Sequence, residues 1–158
     1  MGLFGPNHAR VLSRAQGLWD VDRQVEAVAE LESVLPHTRP KSSVTDAFIV
    51  TTLATYVTDL GNPRRGLTLF SRIPLDNVRL TDARLICLGA RSACCSAVGD
   101  LDGARLDRAT IAAASPGHSA LIMADLALAI HAERREGADP DPVAPTEAAA
   151  TRTGVRRD

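Results

Sequence analysis

Apolar residues recur along most of this chain at the three- and four-residue spacing of a helix's buried face. Turn-forming residues interrupt them at Gly17, Pro36, Pro40, Gly61-Asn62-Pro63, Pro74, Gly99-Asp100, Pro116-Gly117 and Gly137. Between these breakers the pattern predicts seven helices, at about 7–17, 20–35, 43–60, 63–73, 81–98, 101–114 and 117–136. Ser43 is suited to cap the third helix, with Asp46 in its first turn near the positive end of the helix dipole. Asn62 precedes Pro63, a capping residue followed by the residue that tolerates the first helical position. Thr81 and Asp100 are the candidate caps of the fifth and sixth helices. No segment alternates with period two over a useful length, so the expected fold class is all-α. Residues 1–136 read as one helical domain. From 137 to 158 the periodicity stops and Pro140, Pro142 and Pro145 appear, which reads as a disordered Ala/Pro/Arg tail, either a solvated end or a tether or partner-binding segment.

An internal repeat adds more than any single helix does. Leu53-Ala54, Tyr56-Val57, Leu60-Gly61-Asn62, Gly66 and Phe70 align with Arg91-Ser92, Cys94-Cys95, Val98-Gly99-Asp100, Ala104 and Arg108. The small residues Ala54 and Ser92, the turns at Gly61 and Gly99, and the small residues Gly66 and Ala104 recur at a spacing of about 38. Small residues midway along both helices let a hairpin close tightly, and Gly-Asn or Gly-Asp reverses the chain. Each unit then closes on a proline, Pro36, Pro74 or Pro116.

This pattern resembles the tetratricopeptide repeat (TPR), and Gly99-Asp100-Leu101-Asp102-Gly103-Ala104 is similar to a typical turn of that family. The stretch from Leu53 to Pro74 fits less fully. His8 to Pro36 fits only as a helical hairpin, with Leu12 where a small residue is expected. The resemblance implies a TPR-like right-handed superhelix of three antiparallel hairpins plus a C-terminal capping helix. A second, narrower resemblance is to the C-terminal helical halves of actinobacterial helix-turn-helix regulators. That resemblance implies a sensor or partner domain without its DNA-binding half.

In TPR stacks the first helix of each hairpin lines a concave groove. Carried over, this assigns the groove to Phe48, Thr51, Thr55 and Thr58, and to Ile86, Gly89, Ala93 and Ser96; Ala9, Ser13 and Gln16 are the counterparts on the first hairpin. The groove is neutral and hydroxyl-lined, without the Lys, Arg and Asn clamp that grips a peptide carboxylate in chaperone-binding members. Its threonines suit an extended peptide backbone or a polar ligand; the alternative is that they merely solvate an exposed face.

The seventh helix is unusual for a terminal one, which needs a polar outer face. Between Ala120 and Ala132 only Asp125 and His131 are not apolar. Leu121, Ile122, Leu126 and Ile130, with Met123 and Leu128, cover most of its circumference, which marks it as a candidate interface for a second copy or a partner. The alternative is that the tail folds back over it.

Composition narrows the function classes. Charged residues make up 23% of the 158 and the net charge is -1, so nothing favours nucleic acid or an anionic membrane surface. The longest apolar stretch, Ala120 to Ala132, is short for a membrane span. With no leader pattern at the N-terminus, the cytoplasm is the expected location. Aromatic residues are only 3%, which favours helices packed through small side chains.

Catalytic signals are thin. His8, His37, His118 and His131 lie on separate segments, none at metal-ligand spacing from another His or a Cys. Cys87, Cys94 and Cys95 share one helix and read as small core residues. The loop 37–43, with Arg64 and Arg65, is a candidate anion-binding spot or simply solvated charge. No metal, cofactor or catalytic residue is expected. The first expectation is a non-catalytic adaptor for a protein or peptide partner, with a homodimer through the last helix. A ligand-sensing regulatory domain comes second and an enzyme third.

Overall fold

The computed structural model describes residues 7–41, 43–78 and 81–137. The stretch 138–158, expected to be a disordered tail, lies outside the described residues, as do 1–6 with Phe4. Among the described residues there are seven α-helices and no strand: α1 (His8–Asp20), α2 (Gln24–Val34), α3 (Val44–Asp59), α4 (Pro63–Phe70), α5 (Thr81–Val98), α6 (Leu101–Ala114) and α7 (Ser119–Glu136). Short 3-10 turns, Leu35–His37 and Leu75–Asn77, follow α2 and α4.

Local chemistry sets most of the boundaries. The side chains of Asn7, Ser43, Asn62 and Asp100 each accept a backbone N–H from the first turn of α1, α3, α4 and α6. His118 caps α7 through Nδ1, which accepts from the Ala120 N–H at 3.1 Å. Thr81, expected as a cap, is instead the first residue of α5.

The three hairpins close with one turn geometry. At the end of α3 the Gly61 N–H donates to Thr58 O and the Asn62 N–H to Val57 O, a Schellman closure with Gly61 at φ 87°. Gly99 and Asp100 repeat it on Ser96 O and Cys95 O, with Gly99 at φ 85°. Asp22 and Arg23 repeat it on Trp19 O and Leu18 O, and there Asp22 takes the left-handed conformation at φ 60°. The residue after each left-handed position is the N-cap of the next helix. Gly17, expected to break the first helix, lies inside α1, and the first hairpin turns five residues later.

That shift restores the register of the first hairpin. Counting back from Asp22 as from Gly61 and Gly99, the small residues midway along the hairpins are Ala15 and Ala27, Ala54 and Gly66, and Ser92 and Ala104. Leu12 does not hold the position that the sequence alignment gave it. Ala15, Ala27, Ala54, Ser92 and Ala104 are all fully buried. A Cβ on Gly66 would stand 2.9 Å from Ala54 O, and the Ser92 hydroxyl donates to Ala104 O at 3.1 Å.

The odd-numbered helices pack side by side, α1 on α3, α3 on α5 and α5 on α7. Each of α2, α4 and α6 lies against the two odd helices that flank it in the chain. The core runs along this seam through Leu31, Ile49, Val50, Leu53, Leu85 and Ile111. Polar fastenings cross it. Trp19 stacks on Tyr56 with ring centroids 3.7 Å apart, joining α1 to α3. Asp46 in the first turn of α3 accepts from His8 Nδ1 at 2.5 Å and from the Arg39 N–H at 2.6 Å. On α6 the buried Asp107 takes Arg91 of α5 in a two-pronged ion pair, Nε at 2.8 Å and Nη2 at 2.5 Å. Arg108 of α6 pairs with Asp125, the one acid in the apolar run of α7.

Candidate functional site

The groove residues expected from the sequence separate into two groups. At the N-terminal end of the odd-helix layer the space is filled by packing. Thr51 is buried and its hydroxyl donates to Cys87 Sγ at 3.2 Å, while Phe48 rests against the core. Gly89 carries no groove, because Ala120 of α7 lies directly on it: a Cβ there would stand 3.0 Å from both Ala120 Cβ and Ala120 O. Glycine at 89 lets α7 dock backbone-close on α5, and the groove expected there is occupied by α7 itself. Ile86 is half-buried beside this contact.

Thr55 and Thr58 are half-buried, and their hydroxyls donate back to Thr51 O at 3.0 Å and Ala54 O at 2.8 Å. Threonine hydroxyls in helices commonly bond the carbonyl one turn back. The three threonines therefore do not present a row of free donors. Thr58 also meets Cys94 Sγ at 3.0 Å.

Towards the C-terminal ends of the same helices a cleft of about 280 Å³ opens between α3, α5 and α7. Thr58, Ala93 and Ser96 line it, joined by Asp59 and Ala97. The opposite wall is α7: Ala127, Ile130, His131 and Arg134. Alanines at 93, 97 and 127 leave the room that larger side chains would fill. A second opening, of about 350 Å³, lies between the start of α6 and the end of α7 and shares His131 with the first.

Three electrostatic features mark the first cleft. Ser96 is 2% exposed and its Oγ has no hydrogen-bond partner among the described residues. A buried hydroxyl in that state costs about 1–3 kcal/mol. Asp59 is exposed by surface area, yet the protein around it raises its carboxyl above the ordinary aspartate range through desolvation. Among the described residues, neither Asp59 nor Arg134 forms an ion pair, although both line the same cleft and carry opposite charge. Sequence reasoning missed Asp59, His131 and Arg134, because periodicity alone gives no sign that the end of α7 faces the end of α3.

On its outer side α7 exposes an apolar stripe: Ile122 at 70%, Leu126 at 59% and Ile130 at 40%, flanked by Met123. The spacing of four residues aligns them along one face. Leu121, expected with them, turns inward and packs against the core.

The other candidate chemistries take structural roles. Cys87, Cys94 and Cys95 are free, buried thiols. Burial raises all three, and Cys95, with Asp107 and Asp100 near it, is pushed up to about 12. Such thiols stay protonated and make poor nucleophiles. The basic loop is tied down: Thr38 donates to Leu35 O, the Arg39 backbone binds Asp46, and Arg65 pairs with Glu32. Among the described residues no three His, Cys, Asp or Glu side chains gather as a metal site. None of the described helices is long and apolar enough to cross a membrane. Comparison of the chain with protein-family models, curated proteins and solved structures finds no match, and the reading of these surfaces rests on their own geometry.

Proposed function

We propose that this chain is a non-catalytic, TPR-like interaction module of the cytoplasm that docks a protein partner on the outer face of α7. The observation that carries this reading is the exposed stripe Ile122-Leu126-Ile130. Burying a side chain of this kind contributes roughly 1.5–3 kcal/mol, so three of them supply a substantial gross driving force for association. The TPR-like part is supported by three hairpins that share one turn geometry, with small residues facing each other midway along each. It is also supported by packing in which every even helix touches both of its odd neighbours.

A second copy of the chain suits this surface well. Two α7 helices laid antiparallel place Leu126 against Leu126 and Ile122 against Ile130, which is the self-complementarity that a two-fold contact requires. Sedimentation velocity across a concentration series tests it, with Leu126→Asp beside the wild type. Association of the wild type that the variant loses establishes the dimer. A wild type that stays monomeric moves the partner to another protein.

The cleft between α3, α5 and α7 favours a second reading, a ligand-sensing domain akin to the helical halves of regulators. Its support is the Ser96 hydroxyl at the cleft wall, which with Arg84 Nε is one of two buried polar side-chain atoms without a hydrogen-bond partner among the described residues.

A further inference from the structure

The geometry points to the α3–α5–α7 cleft as a binding site for a small zwitterion, an α-amino acid or short peptide with an aliphatic side chain. This goes beyond the docking reading and does not rest on it: the ligand is held by Asp59 and Arg134 in the cleft and the partner by Ile122 and Leu126 outside it, with Ile130 bordering both.

The cleft leaves polar groups unsatisfied. Ser96 is 2% exposed and its Oγ has no hydrogen-bond partner among the described residues. Other buried hydroxyls in this chain, Thr51 and Ser92, have found partners. Asp59 and Arg134 line the same cleft from α3 and α7, and both lack an ion-pair partner among the described residues. Elsewhere on this surface opposite charges do pair, as Arg65 does with Glu32 and Arg108 with Asp125. A carboxylate and a guanidinium held apart across one cleft are completed together by a molecule that carries an ammonium and a carboxylate. Arg134 presents a planar fork suited to the carboxylate and Asp59 accepts from the ammonium. Between them, Ala93, Ala97 and Ile130 offer an apolar bed for the side chain. At about 280 Å³ the space is at the small end of ligand pockets, which fits one or two amino-acid residues.

The test is a titration of the isotopically labelled full chain followed by NMR. The probes are L-leucine and L-alanyl-L-leucine, each beside its N-acetylated and its C-terminally amidated form. The expected result is saturable, millimolar or tighter perturbation of the amides of Ala93, Ala97 and Ala127. Removing either ligand charge should weaken binding about tenfold, the worth of one charge-assisted contact. Leucine binding without the dipeptide assigns a free amino acid, and dipeptide binding without leucine assigns a peptide. Asp59→Asn should erase the penalty for acetylation, and Arg134→Gln the penalty for amidation. Both residues are exposed, so these variants fold even if Ser96→Ala disturbs the packing. The proposal is overturned if neither zwitterion perturbs the cleft, or if the acetylated and amidated forms bind as well as their parents. If that happens while Leu126→Asp still abolishes association, only the ligand site falls and the docking reading stands.

Discussion

At the scale of the residue, the turn between α1 and α2 shows what a sequence conceals. Gly61 and Gly99 announce left-handed turns because glycine adopts positive φ without steric cost. Asp22 adopts the same conformation with a side chain that gives little notice of it, and Gly17, which looks like a breaker, rides inside a helix. Asp22→Gly should therefore stabilise the fold by about 0.5–1 kcal/mol, whereas Gly99→Ala should cost about 1 kcal/mol, both read by urea denaturation. Asp59 gives a second expectation. Its carboxyl is raised in the folded protein, so the folded state binds that proton more tightly than the unfolded chain does. The resulting stability is present below the ordinary aspartate range and lost as pH rises through the raised value. Asp59→Asn should thus be more stable than the wild type at neutral pH, with the difference vanishing in acid. Paired denaturation curves at the two pH values check the sign.

At the scale of the element, the sequence was most legible where periodicity and caps agree. Ser43, Asn62 and Asp100 sit where a cap was expected, and α3, α5 and α6 keep their expected spans within a residue. The small residues were legible as a pattern, and their mechanical role appears only in three dimensions. Gly66 is the sharpest case, since a Cβ there would meet the Ala54 backbone carbonyl at 2.9 Å, which has no rotamer with which to yield. Gly66→Ala gains roughly 1 kcal/mol of helix propensity but overpacks this crossing, so a net loss of about 1–2 kcal/mol is expected in thermal or chemical unfolding. The Asp107–Arg91 clamp was not legible, because the repeat places Arg91 beside Ser92 without giving it a partner and Asp107 stands outside the aligned positions. Removing the carboxylate alone leaves a charge without its counterion, and Asp107→Ala should cost about 3 kcal/mol by the same measurement.

At the scale of the whole molecule, the layered packing of odd helices separates surfaces that the sequence placed together. The groove read from Phe48 to Thr58 and from Ile86 to Ser96 is closed at one end by Ala120 on Gly89 and open at the other around Ser96. Which end stays open depends on the course of α7 across α5, a long-range contact that no local pattern encodes. The apolar excess of α7 was legible from composition, and the structure divides it into an inner side that holds Ala120, Ala124 and Leu121 and an outer side that holds Ile122 and Leu126, with Ile130 between the outer face and the cleft. Because Leu126 is solvent-facing, Leu126→Asp should leave the unfolding free energy of the monomer within about 0.5 kcal/mol of the wild type, and loss of association in that variant reports on the surface rather than the fold.

The claim that α7 is a docking surface is tested most directly by quantitative affinity capture. Tagged wild type and tagged Leu126→Asp are incubated in parallel in native lysate supplemented with an untagged copy of the chain, and the recovered proteins are compared by mass spectrometry. The account predicts that the wild type retains at least one protein, its own untagged copy or another, which the variant fails to retain. Equal recovery of every protein by the two baits would contradict it.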